Sequence, residues 1–415
     1  MVKSWQKQLV IVLGCGISLL VGCRGNSTVR TPLEGGISTR LEDWVTGSEA
    51  SSKATLFPLE VESELQLSLE RYIERWKLPG AVMAMASSSA QPSWLGATGQ
   101  ANVAEKTELQ PTDQFRIGGL SEMFLAVLCL QLAEEGVLEL TDSLAEWLPE
   151  KVAEQIPQAE RIMIQQLLNH TSGLPPIDTV AFQQAVLANP THRWTAEEVL
   201  AVGFEPESSA VRGSYSNSTA NYLLLELVIQ QATGRSLAEA LQNRIMTPLN
   251  LKNTFVELSA DAQLTVHGYQ DWDNDGTPED ITQPLLNTGL GLGGTALISN
   301  APDLIRFFQA FLFEDTLVSV SSRQKMMTVV SSERGGYGLG VLNTLTRWGE
   351  IWGQTGSTTG FSSAIFYLPI HDLIVVTWTN SGDKIATRPF ELTDAGLNAV
   401  LENSLNLPYR ATIKW

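Results

Sequence analysis

The run Phe115-Arg116-Ile117-Gly118-Gly119-Leu120-Ser121-Glu122-Met123-Phe124 constrains this chain more than any other. Two adjacent glycines lead into an apolar stretch from Glu122 to Glu135, which Gly136 ends. A helix that is apolar on all sides has to be buried on all sides. The rest of the chain must close around it. With 415 residues it can do so as one large two-lobed domain with a sizeable core, or as two or three ordinary domains.

Charge and cysteine usage narrow the partners. The net charge of -18 argues against nucleic acid or an anionic membrane surface. Four histidines and three cysteines leave little material for a zinc-type cluster. Lys3 and Lys7 precede an apolar run from Leu9 to Gly22, which is short for a membrane span and fits a secretory signal. The run ends Leu20-Val21-Gly22-Cys23, which resembles the bacterial lipoprotein cleavage box. Residues 1–22 are therefore expected to be removed and Cys23 lipidated, with the protein anchored in the bacterial cell envelope, the outer membrane or periplasm favoured. Residues 23–57 are rich in Ser, Thr and Gly and read as a flexible tether. Cys129 then remains as a single unmodified thiol, set in an apolar helical run as a core residue.

Periodicity supplies the elements. Glu60 to Lys77 carries Val61, Leu65, Leu67, Leu69, Tyr72, Ile73 and Trp76 at helical spacing, and Leu78-Pro79-Gly80 stops it. Ala81–Ala86 and Ser93–Gln100 read as strands joined by a polar turn. Ala220 to Thr233 reads as an apolar helix ended by Gly234, and Ala301 to Phe313 as another. Near the C-terminus, Leu339–Asn343, Glu350–Gly353, Ser362–Tyr367 and Leu373–Thr379 read as strands of a closing sheet. A last helix from Pro389 to Leu401 should pack against the first.

Several of these texts resemble the serine β-lactamase, D-alanyl-D-alanine carboxypeptidase and esterase superfamily, in its class C-like branch. Phe115-Arg116-Ile117-Gly118 matches the lead-in to its nucleophile motif, in which Ser, two residues and Lys follow. Leu167-Leu168-Asn169-His170-Thr171-Ser172-Gly173-Leu174-Pro175 is close to its long "LLxHTSGLP" signature, and Tyr215-Ser216-Asn217 matches its Tyr-x-Asn triplet. Gln354-Thr355-Gly356 stands where the family has Lys-Thr-Gly or His-Thr-Gly. The resemblance runs from about Glu60 to Glu402. It implies an α+β, two-lobed fold: an antiparallel sheet flanked by the terminal helices, with an all-helical lobe inserted. The sheet lobe is expected at 58–110 and 291–415, and the helical lobe at 111–290. Gly119 should begin a buried helix beneath the sheet edge that carries Gln354. His170 takes a structural role.

The same resemblance locates what is missing. Gly119 stands where the Ser should be and has no side chain to attack with. Glu122 replaces the Lys that takes the proton, and Gln354 replaces a cation with a neutral amide. Of the family's site, Tyr215, which shares proton transfer, and Asn217, which contacts substrate amides, remain. A carboxylate beside a phenol raises its pKa, so Tyr215 is expected to stay a neutral phenol. Ser121 should face away from the site, two residues along a helix from Gly119. Ser322-Arg323-Gln324-Lys325 matches the nucleophile pattern literally but lies in the wrong place.

Outside the motif set, Asp271-Trp272-Asp273-Asn274-Asp275-Gly276 places carboxylates at alternate positions before a glycine. This arrangement can wrap Ca²⁺, with Glu279 or Asp280 closing the shell, since the twelfth position is Thr282. Asp271, Asp273 and Asp275 are the candidate ligands, set against the plainer reading of an acidic turn. No other cofactor is expected. The function expected is that of a membrane-anchored pseudoenzyme that binds a peptidoglycan peptide or a protein partner, with a monomer favoured. The alternative is residual hydrolase activity of the carboxypeptidase, esterase or β-lactamase type by a changed mechanism, with Glu122 or Tyr215 as acid–base groups and water as nucleophile.

Overall fold

The computed structural model describes residues 57–402 apart from 178–181, 183, 186–187, 190–191, 193, 205–209, 257–263, 272–276, 283–296, 333–334 and 383–387. The chain opens with helix α1 (Leu59–Trp76), then strands β1 (Gly80–Ala86), β2 (Trp94–Asn102) and β3 (Thr107–Glu108). It closes with β4 (Val330–Ser332), β5 (Gly335–Tyr337), β6 (Leu342–Thr346), β7 (Gly349–Thr358), β8 (Phe361–Leu368) and β9 (Leu373–Thr379). These nine strands form one antiparallel sheet in the order β3-β2-β1-β9-β8-β7-β6-β5-β4. The first and last thirds of the sequence meet where β1 pairs with β9, Ala81 opposite Thr379.

Side chains alternate across a strand, so each strand feeds two cores. In β1, Ala81, Met83 and Met85 join a core with Val61, Leu65, Leu69 and Tyr72 of α1 and Leu392 and Leu397 of α5 (Arg388–Leu397). Leu67 falls between these positions and is exposed. Val82, Ala84 and Ala86 join the larger core on the opposite face, with helix α2 (Ser121–Glu134) and helix α4 (Ala301–Phe313). A sheet covered on both faces reads as long apolar runs, as β8 and β9 do.

Helix α2 is the centre of the large core. Met123 through Leu130 are buried without interruption. Burial pushes the Cys129 thiol up to about 12, which leaves it protonated and inert. Helix α3 (Thr219–Thr233) packs beside α2 and ends on Gly234, whose φ of 63° supplies the left-handed cap. Between β3 and α4 the chain is otherwise made of short helices, with short strand pairs as staples. Phe115–Arg116 pairs with Leu297–Ser299, which also pairs with Phe255–Val256. Tyr269–Gln270 pairs with Glu279–Asp280.

The expectation that Gln354 lies at a sheet edge is corrected. It sits on β7, bonded to β8 on one side and β6 on the other. Two further strands, β5 and β4, extend the sheet beyond β6. β4 is three residues long and ends in two serines, which hides it from a reading based on apolar alternation; the Gly335-Gly336-Tyr337-Gly338-Leu339-Gly340 text reads as the start of the closing sheet, and β5 forms there.

Candidate active site

Gly118–Leu120 forms a single 3-10 turn at the head of α2, and that turn lies flat on strand β7. Ser363 Oγ donates to the Ile117 carbonyl at 2.9 Å. Gly356 packs directly on the same carbonyl, where a β-carbon would clash. Gly118 has a φ of 55°, and a Cβ there would stand 2.8 Å from the Ser357 nitrogen. At Gly119 the backbone is ordinary, but a Cβ would stand 2.7 Å from the Thr355 carbonyl oxygen. A close-packed interior does not yield that much without moving the strand. The space in which a nucleophile's side chain would begin is occupied by β7.

One turn later, Glu122 collects donors. Its Oε2 accepts from the Tyr337 hydroxyl, lies 3.2 Å from Gln354 Nε2 and 3.3 Å from His170 Nε2. The surrounding hydrogen bonds assign the His170 tautomer. The Ser172 hydroxyl occupies Asn221 Oδ1, so the Asn221 amide NH₂ faces the ring, 2.9 Å from His170 Nδ1. The Ser218 N–H also donates to Nδ1, at 3.3 Å. Nδ1 is thus the acceptor, and Nε2 carries the proton towards Glu122. Three neutral donors therefore converge on one carboxylate oxygen. Bonds to an ionised acceptor are stronger than neutral ones, and a negative charge in the first turn of a helix is stabilised further by the helix dipole.

Gln354 is wholly committed. Its Nε2 lies 2.7 Å from the Tyr337 hydroxyl, and its Oε1 accepts from the Thr355 N–H at 3.0 Å. Burial and the neighbouring Glu122 carboxylate hold the Tyr337 phenol well above its ordinary range. Tyr215 covers the cluster from outside. Its ring lies edge-on to His170 at 6.0 Å and tilted against Tyr337 at 5.5 Å, and 41% of it is exposed. The protein around its hydroxyl, aided by the Glu122 charge and opposed by a hydrogen bond from Asn217, pushes the phenol up to about 12. It is protonated at neutral pH.

Of the residues singled out in the sequence, Glu122, Tyr215 and Gln354 share this cluster. Gly119 lies one turn before Glu122 against the residue next to Gln354, and Asn217 touches the cluster through Tyr215. The residue at the cap position of α3 is Ser218, not Asn217. Ser121 is buried and accepts from the Leu297 N–H, away from the cluster. Ser322 is buried at the other end of α2, bonded to Glu134. Twelve residues of helix separate Glu134 from Glu122, about 18 Å at 1.5 Å per residue. Asp273, Asp275 and Cys23 lie outside the described residues. Asp271 follows the short strand Tyr269–Gln270. The Asp280 carboxylate is already taken, by His267 Nδ1 at 2.6 Å and the Thr282 N–H at 3.0 Å. Among the described residues no group of three His, Cys, Asp or Glu is arranged for a metal. No helix among them is long and apolar enough to cross a membrane.

One member of the cluster, Tyr337, was missed in the sequence, and another, His170, was read there as structural. The backbone φ of 54° at His170, rare for a residue with a β-carbon, and its ring pairing to Glu122 are tertiary facts. Tyr337 had a faint signal: it is the one large side chain in Gly335-Gly336-Tyr337-Gly338.

Comparison with known proteins places the fold in a family. The Beta-lactamase family profile matches residues 69–397. Penicillin-binding protein 4* of Bacillus subtilis (strain 168) is 27% identical over 339 residues, covering 76% of this chain and 71% of that protein. Protein flp of Staphylococcus aureus (strain NCTC 8325 / PS 47) is 27% identical over 197 residues, a match to 46% of this chain and only 38% of that protein. Among solved structures, a D-stereospecific amidohydrolase from Streptomyces sp. superposes with a TM-score of 0.68 at 26% identity, covering 82% of this chain and 98% of that one. The D-amino acid amidase from Ochrobactrum anthropi SV3, complexed with L-phenylalanine amide, gives a TM-score of 0.70 at 22% identity, covering 83% and 99%, and shows the shared fold alone. With a family match that spans residues 69–397, most of the described chain, and a sheet-and-helix fold shared with the solved structures, the chain belongs to the Beta-lactamase family and has the fold of its serine hydrolases.

Proposed function

We propose that this protein is a non-acylating member of its family, a pseudoenzyme held at the bacterial cell envelope that binds a cell-wall peptide or a protein partner. One observation carries the reading: at Gly119 there is no hydroxyl, and a Cβ there would stand 2.7 Å from the Thr355 carbonyl oxygen. The other two replacements support it. Glu122 puts a carboxylate, bonded to three donors, where the family has an amine, and Gln354 offers no cation. The envelope location rests on the Leu20-Val21-Gly22-Cys23 text and on the likeness to a penicillin-binding protein. The test is intact-mass spectrometry of the wild-type protein after incubation with a labelled penicillin. No adduct is expected; an adduct on any serine overturns the proposal.

A second reading has one observation in its favour. Glu122 Oε1 makes no hydrogen bond among the described residues, so a carboxylate oxygen is left to activate a water. Turnover of an activated ester that Glu122→Gln abolishes would establish this hydrolase reading in place of the first.

A further inference from the structure

The chemistry left over at Glu122 identifies a ligand class, on the basis of the non-acylating reading above. The carboxylate uses one oxygen for three donors, His170 Nε2, Tyr337 Oη and Gln354 Nε2. Its second oxygen has no partner among the described residues, and 12% of the side chain remains open. No lysine or arginine forms an ion pair with it among those residues. The groups that pack around it are neutral: His170 is fixed as the Nε2–H tautomer, and both phenols are protonated well past neutrality. The aromatic rings of His170, Tyr215 and Tyr337 gather at centroid separations of 4.9 to 6.0 Å, and Tyr215 presents its exposed part to solvent beside them.

We propose that this cleft is a receptor for a protonated primary amine. One ammonium N–H would donate to Glu122 Oε1, and the remaining charge would lie against the Tyr215 ring. A desolvated carboxylate without a counter-cation is completed by such a ligand, and an aromatic face adds to the attraction. An anionic ligand is repelled by the same carboxylate. The polarity of the site is thereby the reverse of one built on Lys and a basic third motif.

Calorimetric titration of the full chain with D- and L-phenylalanine amide tests this, with the N-acetylated amides as neutral matches. The amine form of at least one enantiomer should bind at least about tenfold more tightly than its acetylated counterpart, the scale of one charge-assisted bond. Glu122→Gln should remove that preference. Tyr215→Leu, at a position 41% exposed, should weaken amine binding about threefold to tenfold while the variant stays folded by circular dichroism. Equal binding of amine and acetylated forms, no binding of either, or a preference that persists in Glu122→Gln overturns the proposal. That failure is distinct from failure of the non-acylating reading, which shows as a covalent mass shift.

Discussion

Helix α2 carries carboxylates at both ends and holds them in opposite ways. Glu122, in the first turn, is nearly buried, and its partners are uncharged. Glu134 and Glu135, at the last turn, are wet, and their partners come from outside the helix. The Ser319 N–H and hydroxyl bind Glu134 at 2.9 and 2.5 Å, and Arg244 grips Glu135 through two bonds at 2.6 and 2.9 Å. The difference follows from the helix itself. A negative charge at the N-terminal end is stabilised by the helix dipole, and one at the C-terminal end is opposed by it. Glu122 persists in its nearly buried place without a basic partner, whereas Glu135 is exposed and paired with Arg244. A glutamate at position 122 is therefore compatible with the frame without a basic partner.

The largest test of this contrast is Glu122→Lys. It aims three donors and a helix N-terminus at a new cation, and should cost about 3–5 kcal/mol in urea unfolding, the range for breaking a buried ionic arrangement. Unchanged stability would mean that the cluster does not depend on its anion. Next is Gly119→Ala. Overpacking against the Thr355 carbonyl should cost about 1–3 kcal/mol by the same measurement. Gly119→Ser should match it and still form no penicillin adduct. Acylation is expected only when Glu122→Lys and Gln354→His are added, because groups that act as a unit are non-additive. An adduct with the single variant would show that the base and the third-motif cation are dispensable.

At the other end the effects shrink. Arg244→Ala should cost about 0.2–1 kcal/mol, less at high salt, because the pair is exposed. The hydrogen bond and charge of Arg244 hold the Glu135 carboxyl below its ordinary range. A group whose folded pKa is depressed stabilises fully above its unfolded value, about 4.3, and that contribution fades as the pH falls through the folded pKa. Between about pH 5 and pH 3 the wild type should therefore lose more stability than Arg244→Ala; parallel curves would remove the pair from the account. The smallest effect is spectroscopic. With Tyr215 pushed up to about 12, Tyr215→Phe should leave the phenolate absorbance unchanged up to about pH 11. A reduced step near pH 10 would place the Tyr215 hydroxyl in water.

Much of this architecture was legible because it depends on local pattern. The period of α1, the all-round apolar character of α2 and the runs of β8 and β9 are imposed by which faces are buried. Leu67 shows the limit, since an apolar residue off the stripe reads the same as one on it. Of the candidate cluster, Glu122, Tyr215 and Gln354 were legible by identity alone, and the structure brings them together. Their partners were not. That Tyr337 reaches Glu122 across 215 positions, that His170 presents Nε2 and not Nδ1, and that a strand carbonyl presses on Gly119 all require the assembled sheet. Strand β4 escaped for a related reason: two of its three residues are serines, so it shows no apolar alternation.

The meeting of β1 with β9 also sets a timetable. β1 lies inside the sheet and borrows its second neighbour from the far end of the chain. Until that neighbour has been synthesised and delivered, one whole edge of β1 is an open template for pairing with other chains. Through the same interval the apolar side of α1 lacks its partner α5. Contacts of such long sequence separation form slowly. A chain read from its N-terminus can therefore not complete its sheet domain by domain as it emerges. It has to be kept apart from its fellows until nearly its last turn of helix is present.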